Sequence, residues 1–137
     1  MAIVSNTVGY LDGDVALEGF FAYDDAIDGP RPVVLIHHAW GGRDGFVAEK
    51  AKLLAERGYL GFAADTYGRG VLGKSPEENA GLMKPFMADR AKLQKRLHAA
   101  LAAAKLLPWA DNGKIAAIGF CFGGLCALDL ARSGADI

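Results

Sequence analysis

The residues best suited to chemistry are Gly119-Phe120-Cys121-Phe122-Gly123-Gly124. They set a thiol in a G-x-nucleophile-x-G pattern, with cysteine in the place that serine usually holds. A nucleophile lifted above the edge of a sheet needs a very tight strand-to-helix turn. Flanking glycines leave room in that turn where a larger side chain would clash. The helix that begins there aims N–H groups and its positive dipole end at the sulfur, which favours thiolate over thiol and helps hold a developing oxyanion. The competing reading is a buried structural cysteine in a glycine-rich strand end, since free cysteine is among the most buried residue types. The stretch KIAAIGF before the thiol and FGGLCALDLA after it supply the strand-turn-helix context that the nucleophile reading requires.

A second cluster is His37-His38-Ala39-Trp40-Gly41. His37, His38 and Cys121 suit a metal by ligand type, but adjacent histidines on a strand point to opposite faces and converge poorly. No metal and no cofactor are therefore expected. Arg69 and Arg90 could contact an anionic substrate or simply be solvated. Trp40, Met83, Phe86 and Phe122 could line an acyl pocket or pack as ordinary aromatic and apolar residues. Cys126 reads as core, and His98 as part of a solvated helix face.

The elements that must position these residues follow from hydrophobic periodicity and turn signals. A strand is predicted at 15–23 after the Asp12-Gly13 turn, and a continuous apolar run at 32–37 predicts a strand buried on both faces. Asp44 caps a helix running to about Arg57, with Phe46, Val47, Ala51 and Leu54 at helical spacing and Gly58 as the stop. Residues 59–64 read as the next strand. The glycine- and proline-rich stretch 66–85 is irregular, except that Ser75-Pro76-Glu77-Glu78 reads as a capping box opening a short helix. A long helix is predicted over about 86–107, with Leu93, Leu97, Leu101 and Ala104 buried, Lys92, Lys95, Arg96 and Lys105 facing water, and Pro108 as the stop. A turn at Asn112-Gly113, a strand at 114–120 and a helix at 123–132 complete the order. Strands alternating with helices imply an α/β fold with a mostly parallel sheet and flanking helices. In such a fold, sites form beyond the carboxyl ends of the strands. Both candidate clusters lie at such ends.

Residues 135–137 resemble the start of another strand. A helix with no strand after it is half a βαβ unit, so the sequence reads as one partial domain over 1–137 that stops in mid-fold. The alternative is a complete small sheet whose last helix covers one face. The strand at 114–120 would have an unpaired edge, and exposed apolar edges invite pairing with another chain.

Composition excludes several function classes. The 15 basic and 16 acidic side chains nearly cancel, which argues against a nucleic-acid partner. Two cysteines are too few for a disulfide scaffold or a four-thiolate zinc site. No apolar run approaches the ~20 residues of a membrane span, and no signal peptide is legible. A reducing cytoplasm and no membrane are expected.

The segments VVLIHHAWGG, GYLGFAADTYGRG and DNGKIAAIGFCFGG together resemble the dienelactone hydrolase family, within the α/β-hydrolase fold. The cysteine form of G-x-C-x-G-G is the most specific of these features. The resemblance implies that Cys121 is the nucleophile and that the backbone N–H groups of Phe122 and Ala39 form the oxyanion hole. It also aligns Asp65 and Tyr67 with a recurrent P-D-x-Y segment, here with Ala64 for proline, whose role reads as structural.

Two departures stand out. Where the family usually carries a glutamate near the resting cysteine, this chain has His38, which could pair with the thiol as an alternative catalytic base or instead orient the loop by bonding backbone. The family's triad aspartate and histidine follow the nucleophile, but the residues after Cys121 include only Asp129 and Asp136 as acids and no histidine. The resemblance thus implies a hydrolase of small esters or lactones acting through Cys121 and impaired in this chain. The alternative is a non-catalytic module that self-associates through its sheet edge. The expected partners are a small-molecule ester or lactone and either a second copy or a complementing C-terminal chain.

Overall fold

The computed structural model describes residues 2–137. Its sheet is built from β1 (Ile3–Asp12), β2 (Val15–Asp24), β3 (Arg31–His37), β4 (Leu60–Ala64) and β5 (Ala110–Gly119), in the spatial order β1-β2-β4-β3-β5. The expected α/β architecture is present, but the sheet is mixed. β3 runs parallel to β4 and to β5, whereas β1-β2 and β2-β4 are antiparallel. A short hairpin joins β1 to β2, and β2 is the one strand that runs against the other four.

The helices cover both faces. α1 (Gly45–Glu56) lies on one face, where Val47, Ala51 and Ala55 pack on Val34 and Ile36. α2 (Pro76–Ala88), α3 (Arg90–Lys105) and α4 (Phe122–Arg132) supply the other face, where Phe86, Leu93, Leu97 and Leu130 meet Val33 and Leu35. The alternation of residues 33–36 between two cores explains why β3 reads as a continuous apolar run. α1 starts where expected, with Asp44 accepting from the Phe46 and Val47 amides. Ser75 likewise caps α2 by accepting from the Glu78 N–H.

Three expectations need correction. The single helix predicted over 86–107 is two helices. Asp89 is extended, and its carboxylate caps α3 by accepting from the Lys92 N–H, so Phe86 to Ala88 close α2 instead. Arg96 does not face water. It is 5% exposed and pairs with Asp12 at 2.7 Å, because β1, which the periodicity did not reveal, brings Asp12 across α3. Residues 135–137 form no strand, and the Ile137 N–H instead closes onto the Ala135 carbonyl.

Candidate active site

Cys121 sits between the end of β5 and the first turn of α4. Its φ of 58° makes it, among the described residues, the one non-glycine residue with positive φ. Such a conformation costs of order 1–3 kcal/mol and persists only when the surroundings enforce it. Here the two flanking glycines allow the enforcement. A Cβ on Gly119 would run into the Gly123 carbonyl, and one on Gly123 would run into the His37 carbonyl and lie 2.7 Å from the His38 oxygen. The elbow is thus pressed against the carboxyl end of β3, and the Phe120 N–H also donates to the His37 carbonyl at 3.3 Å. The thiol is exposed rather than sealed in the core, and no side chain caps the helix ahead of it. The Phe122 N–H occupies the first position of α4, where no intrahelical acceptor exists. Its side chain turns inward and is buried. Cys126, by contrast, is buried, and desolvation pushes its thiol up to about 12.

The loop after β3 is tied to the loop after β4. His38 is buried, with Nδ1 2.6 Å from the Ala39 carbonyl and Nε2 accepting from the Thr66 N–H at 3.0 Å. That pattern fixes the tautomer with the proton on Nδ1. Burial lowers the pKa of the ring, and neither nitrogen has a lone pair free to take the proton of Cys121. His38 is therefore placed to orient the loop. The Tyr67 hydroxyl donates to the Trp40 carbonyl at 2.8 Å. The Tyr67 ring stacks on Phe122, tilts against His38 and packs near Phe86. Phe86 and Phe122 therefore belong to the core beneath the elbow, and Trp40 remains partly exposed at the rim.

The two candidate anion-binding arginines separate. Arg69 is exposed in the loop after β4 and faces Glu18 at 3.3 Å, where solvent screening leaves it free to exchange partners. Arg90 instead gives a two-pronged contact to the buried Asp129 at 2.6 and 2.7 Å, so its guanidinium is already occupied. His98 reaches Ser133 Oγ at 2.7 Å, at the far end of α4. Among the described residues, no group of three or more His, Cys, Asp or Glu side chains is arranged to hold a metal ion. No helix among them is long and apolar enough to cross a membrane.

His37 is fully buried with neither ring nitrogen partnered, and desolvation, reinforced by His38, pushes its pKa down to about 3. An exposed imidazole titrates near 6.5. Between these values the unfolded chain binds a proton that the folded chain refuses, so stability is full above pH 6.5 and falls as pH drops. The slope is about 1.4 kcal/mol per pH unit for one such group. Urea midpoints should therefore decline between about pH 7 and pH 5, above the range in which carboxylates titrate. His37→Leu should make that decline shallower, leaving the part owed to His38, whose pKa burial also lowers. An equal slope in the two proteins would contradict a neutral buried His37 ring.

Residues 17–137 match the model of the dienelactone hydrolase family. The chain belongs to that family. A carboxymethylenebutenolidase of Pseudomonas sp. (strain P51) is 29% identical over 114 residues, covering 77% of this chain and 47% of the relative. An uncharacterized protein of Caenorhabditis elegans is 58% identical over 46 residues, 33% of this chain and 29% of its own length. The solved structure of m3DLH is 36% identical with a TM-score of 0.96, over 99% of this chain and 57% of that one. A dienelactone hydrolase-like promiscuous phosphotriesterase from metagenomic libraries is also 36% identical, with a TM-score of 0.94 over 99% of this chain and 56% of that one. This dienelactone hydrolase family chain thus spans about half the length of the relatives it matches.

The family features legible in the sequence were the elbow and the strand ends. The resemblance had suggested a structural role for Tyr67, but what Tyr67 and Arg96 bind was not legible. Their partners Trp40 and Asp12 lie 27 and 84 residues away in the chain, and no local spacing signals such contacts.

Proposed function

We propose that this chain carries the nucleophilic half of a carboxylic-ester or lactone hydrolase that works through an acyl-thioester on Cys121. The observation that carries the reading is an exposed thiol on a positive-φ elbow, with the first amide of α4 directly behind it. The Cys121 sulfur attacks the ester carbonyl carbon, and the thiol proton passes to solvent. The Phe122 and Ala39 N–H groups receive the charge that forms on the carbonyl oxygen. The bond from carbon to the alcohol oxygen then breaks, the alkoxide takes up a proton, and the acyl group remains on sulfur. Water cleaves the thioester in a second step, releasing the acid and restoring the thiol.

The names of the relatives support a small carboxylated lactone as substrate. Arg69, exposed beside Glu18, would meet the carboxylate, and Trp40 would line the rim. The three histidines set the limit on turnover. His37 is sealed in the interior, His38 has both nitrogens bonded to backbone, and His98 is held by Ser133. With no histidine positioned to activate either the thiol or water, the isolated chain should be acylated only by activated esters and should deacylate slowly.

The test is the time course of an activated aryl ester. One equivalent of aryl alcohol should appear in a burst, with the acyl group located on Cys121 by mass spectrometry, followed by slow turnover. Cys121→Ala should remove the burst. Turnover that survives that substitution would exclude Cys121 from the mechanism.

A further inference from the structure

We propose that Tyr67 is a positioning residue that holds both oxyanion-binding amides in register, an inference that rests on the acyl-transfer reading above. The two amides come from separate parts of the chain, the loop after β3 and the first turn of α4. Something must fix one against the other, because an oxyanion hole works only when its donors are already in place as charge develops. Tyr67 touches both parts. Its hydroxyl donates to the Trp40 carbonyl at 2.8 Å, and its ring lies nearly parallel to Phe122, at 12° with centroids 6.1 Å apart.

The hydroxyl bond completes a set of constraints on the Ala39 loop. The peptide joining His38 to Ala39, which carries the Ala39 N–H, lies against Gly123. The peptide joining Ala39 to Trp40 is held through its carbonyl by the His38 ring and the Gly42 N–H. The peptide joining Trp40 to Gly41 is held by Tyr67. Three successive peptide planes are thus pinned, which leaves the Ala39 backbone no freedom to swing its N–H away.

Tyr67 is itself anchored from below. The Asp65 carboxylate accepts from the N–H groups of Tyr67, Gly68 and Glu18, at 3.2, 3.0 and 3.0 Å. Tyr10 bridges the Asp65 backbone with its hydroxyl, and Arg96 donates to the Thr66 carbonyl. Burial raises the pKa of the Tyr67 hydroxyl, so it stays protonated and remains a donor across the working range of pH.

A comparison of two reactions of the same sulfur isolates this role. Acylation by p-nitrophenyl acetate passes through an oxyanion, whereas alkylation by iodoacetamide displaces iodide and forms none. The ratio of the two rates, referred to the same ratio for a small thiol, measures the oxyanion hole apart from thiol access and reactivity. Tyr67→Phe keeps the ring stack and removes only the hydroxyl bond. It should lower the acylation rate about tenfold and leave alkylation unchanged. Tyr67→Leu, which also removes the stack, should lower the ratio further, and thermal unfolding of each variant shows whether it is folded. If Tyr67→Phe kept the wild-type ratio, Tyr67 would have no positioning role. If the wild-type ratio were no higher than that of the small thiol, the acyl-transfer reading itself would fail.

Discussion

Gly123→Ala is expected to destabilise the chain by about 3 kcal/mol or more and to abolish the acylation burst of Cys121. The new methyl group would enter space held by the His37 carbonyl and lie 2.7 Å from the His38 oxygen. Both are backbone atoms at the carboxyl end of β3, a strand bonded to β4 on one side and β5 on the other, so they cannot retreat without breaking a ladder. The elbow would have to lift away from β3 instead, moving the Phe122 amide relative to the Ala39 amide. Gly124→Ala provides the control one residue later. Its methyl group would meet nothing nearer than the Gly119 oxygen at 3.7 Å, and alanine favours a helix over glycine by roughly 0.5–1 kcal/mol. Urea unfolding and the burst amplitude of the two variants should therefore diverge sharply. Equal stability and equal bursts would show that the tight approach of the elbow to β3 is not required.

The same elbow was the most legible part of the sequence, because its chemistry is local. Two glycines, a thiol and a following helix fall within a few residues, and each is needed for a reason that spacing alone expresses. β3 and β4 were legible for a similar reason, since burial on both faces leaves an uninterrupted apolar run. β1 was not. Ser5, Asn6 and Thr7 lie exposed on an edge strand, and without the hairpin to β2 nothing in their pattern demands a sheet. Missing β1 also hid Asp12, and with it the reason Arg96 is buried. The direction of β2 was equally hidden, because periodicity gives the faces of a strand and not its sense, and the sheet is mixed as a result. The break at Asp89 was obscured by Phe86 and Met87, whose apolar side chains continue the helical pattern up to the capping residue. At His38 the sequence left two roles open, and the choice between them depended on Thr66, 28 residues away.

Asp129→Ala should cost about 2–3 kcal/mol, although the residue lies outside the proposed chemistry. Its carboxylate is buried on α4 and receives Arg90 from the start of α3 and Arg132 from its own helix at 3.0 Å. Removing one partner of a fully buried pair costs roughly 3–5 kcal/mol. The smaller figure follows because Arg90 and Arg132 are 40% and 60% exposed and can rehydrate once released. The double variant Arg90→Met with Asp129→Leu should recover most of the loss, since it leaves no charge stranded against the core. A double-mutant cycle would then give the coupling directly.

The pair also leaves a signature in acid. The Arg90 contact, assisted by Arg132, holds the Asp129 carboxyl below the ordinary value of 3.8. Its contribution to stability is therefore present above that value and is lost as pH falls through and below it. This limb begins below the one expected from His37, which starts near 6.5, so Asp129→Asn should make the lower limb shallower and leave the upper one intact. What remains of the lower limb is the share of Asp24, whose carboxyl the Ala2 and Ala26 amides also hold below its ordinary value. A variant that lost both limbs together would mean that α4 and the end of β3 do not titrate as separate sites.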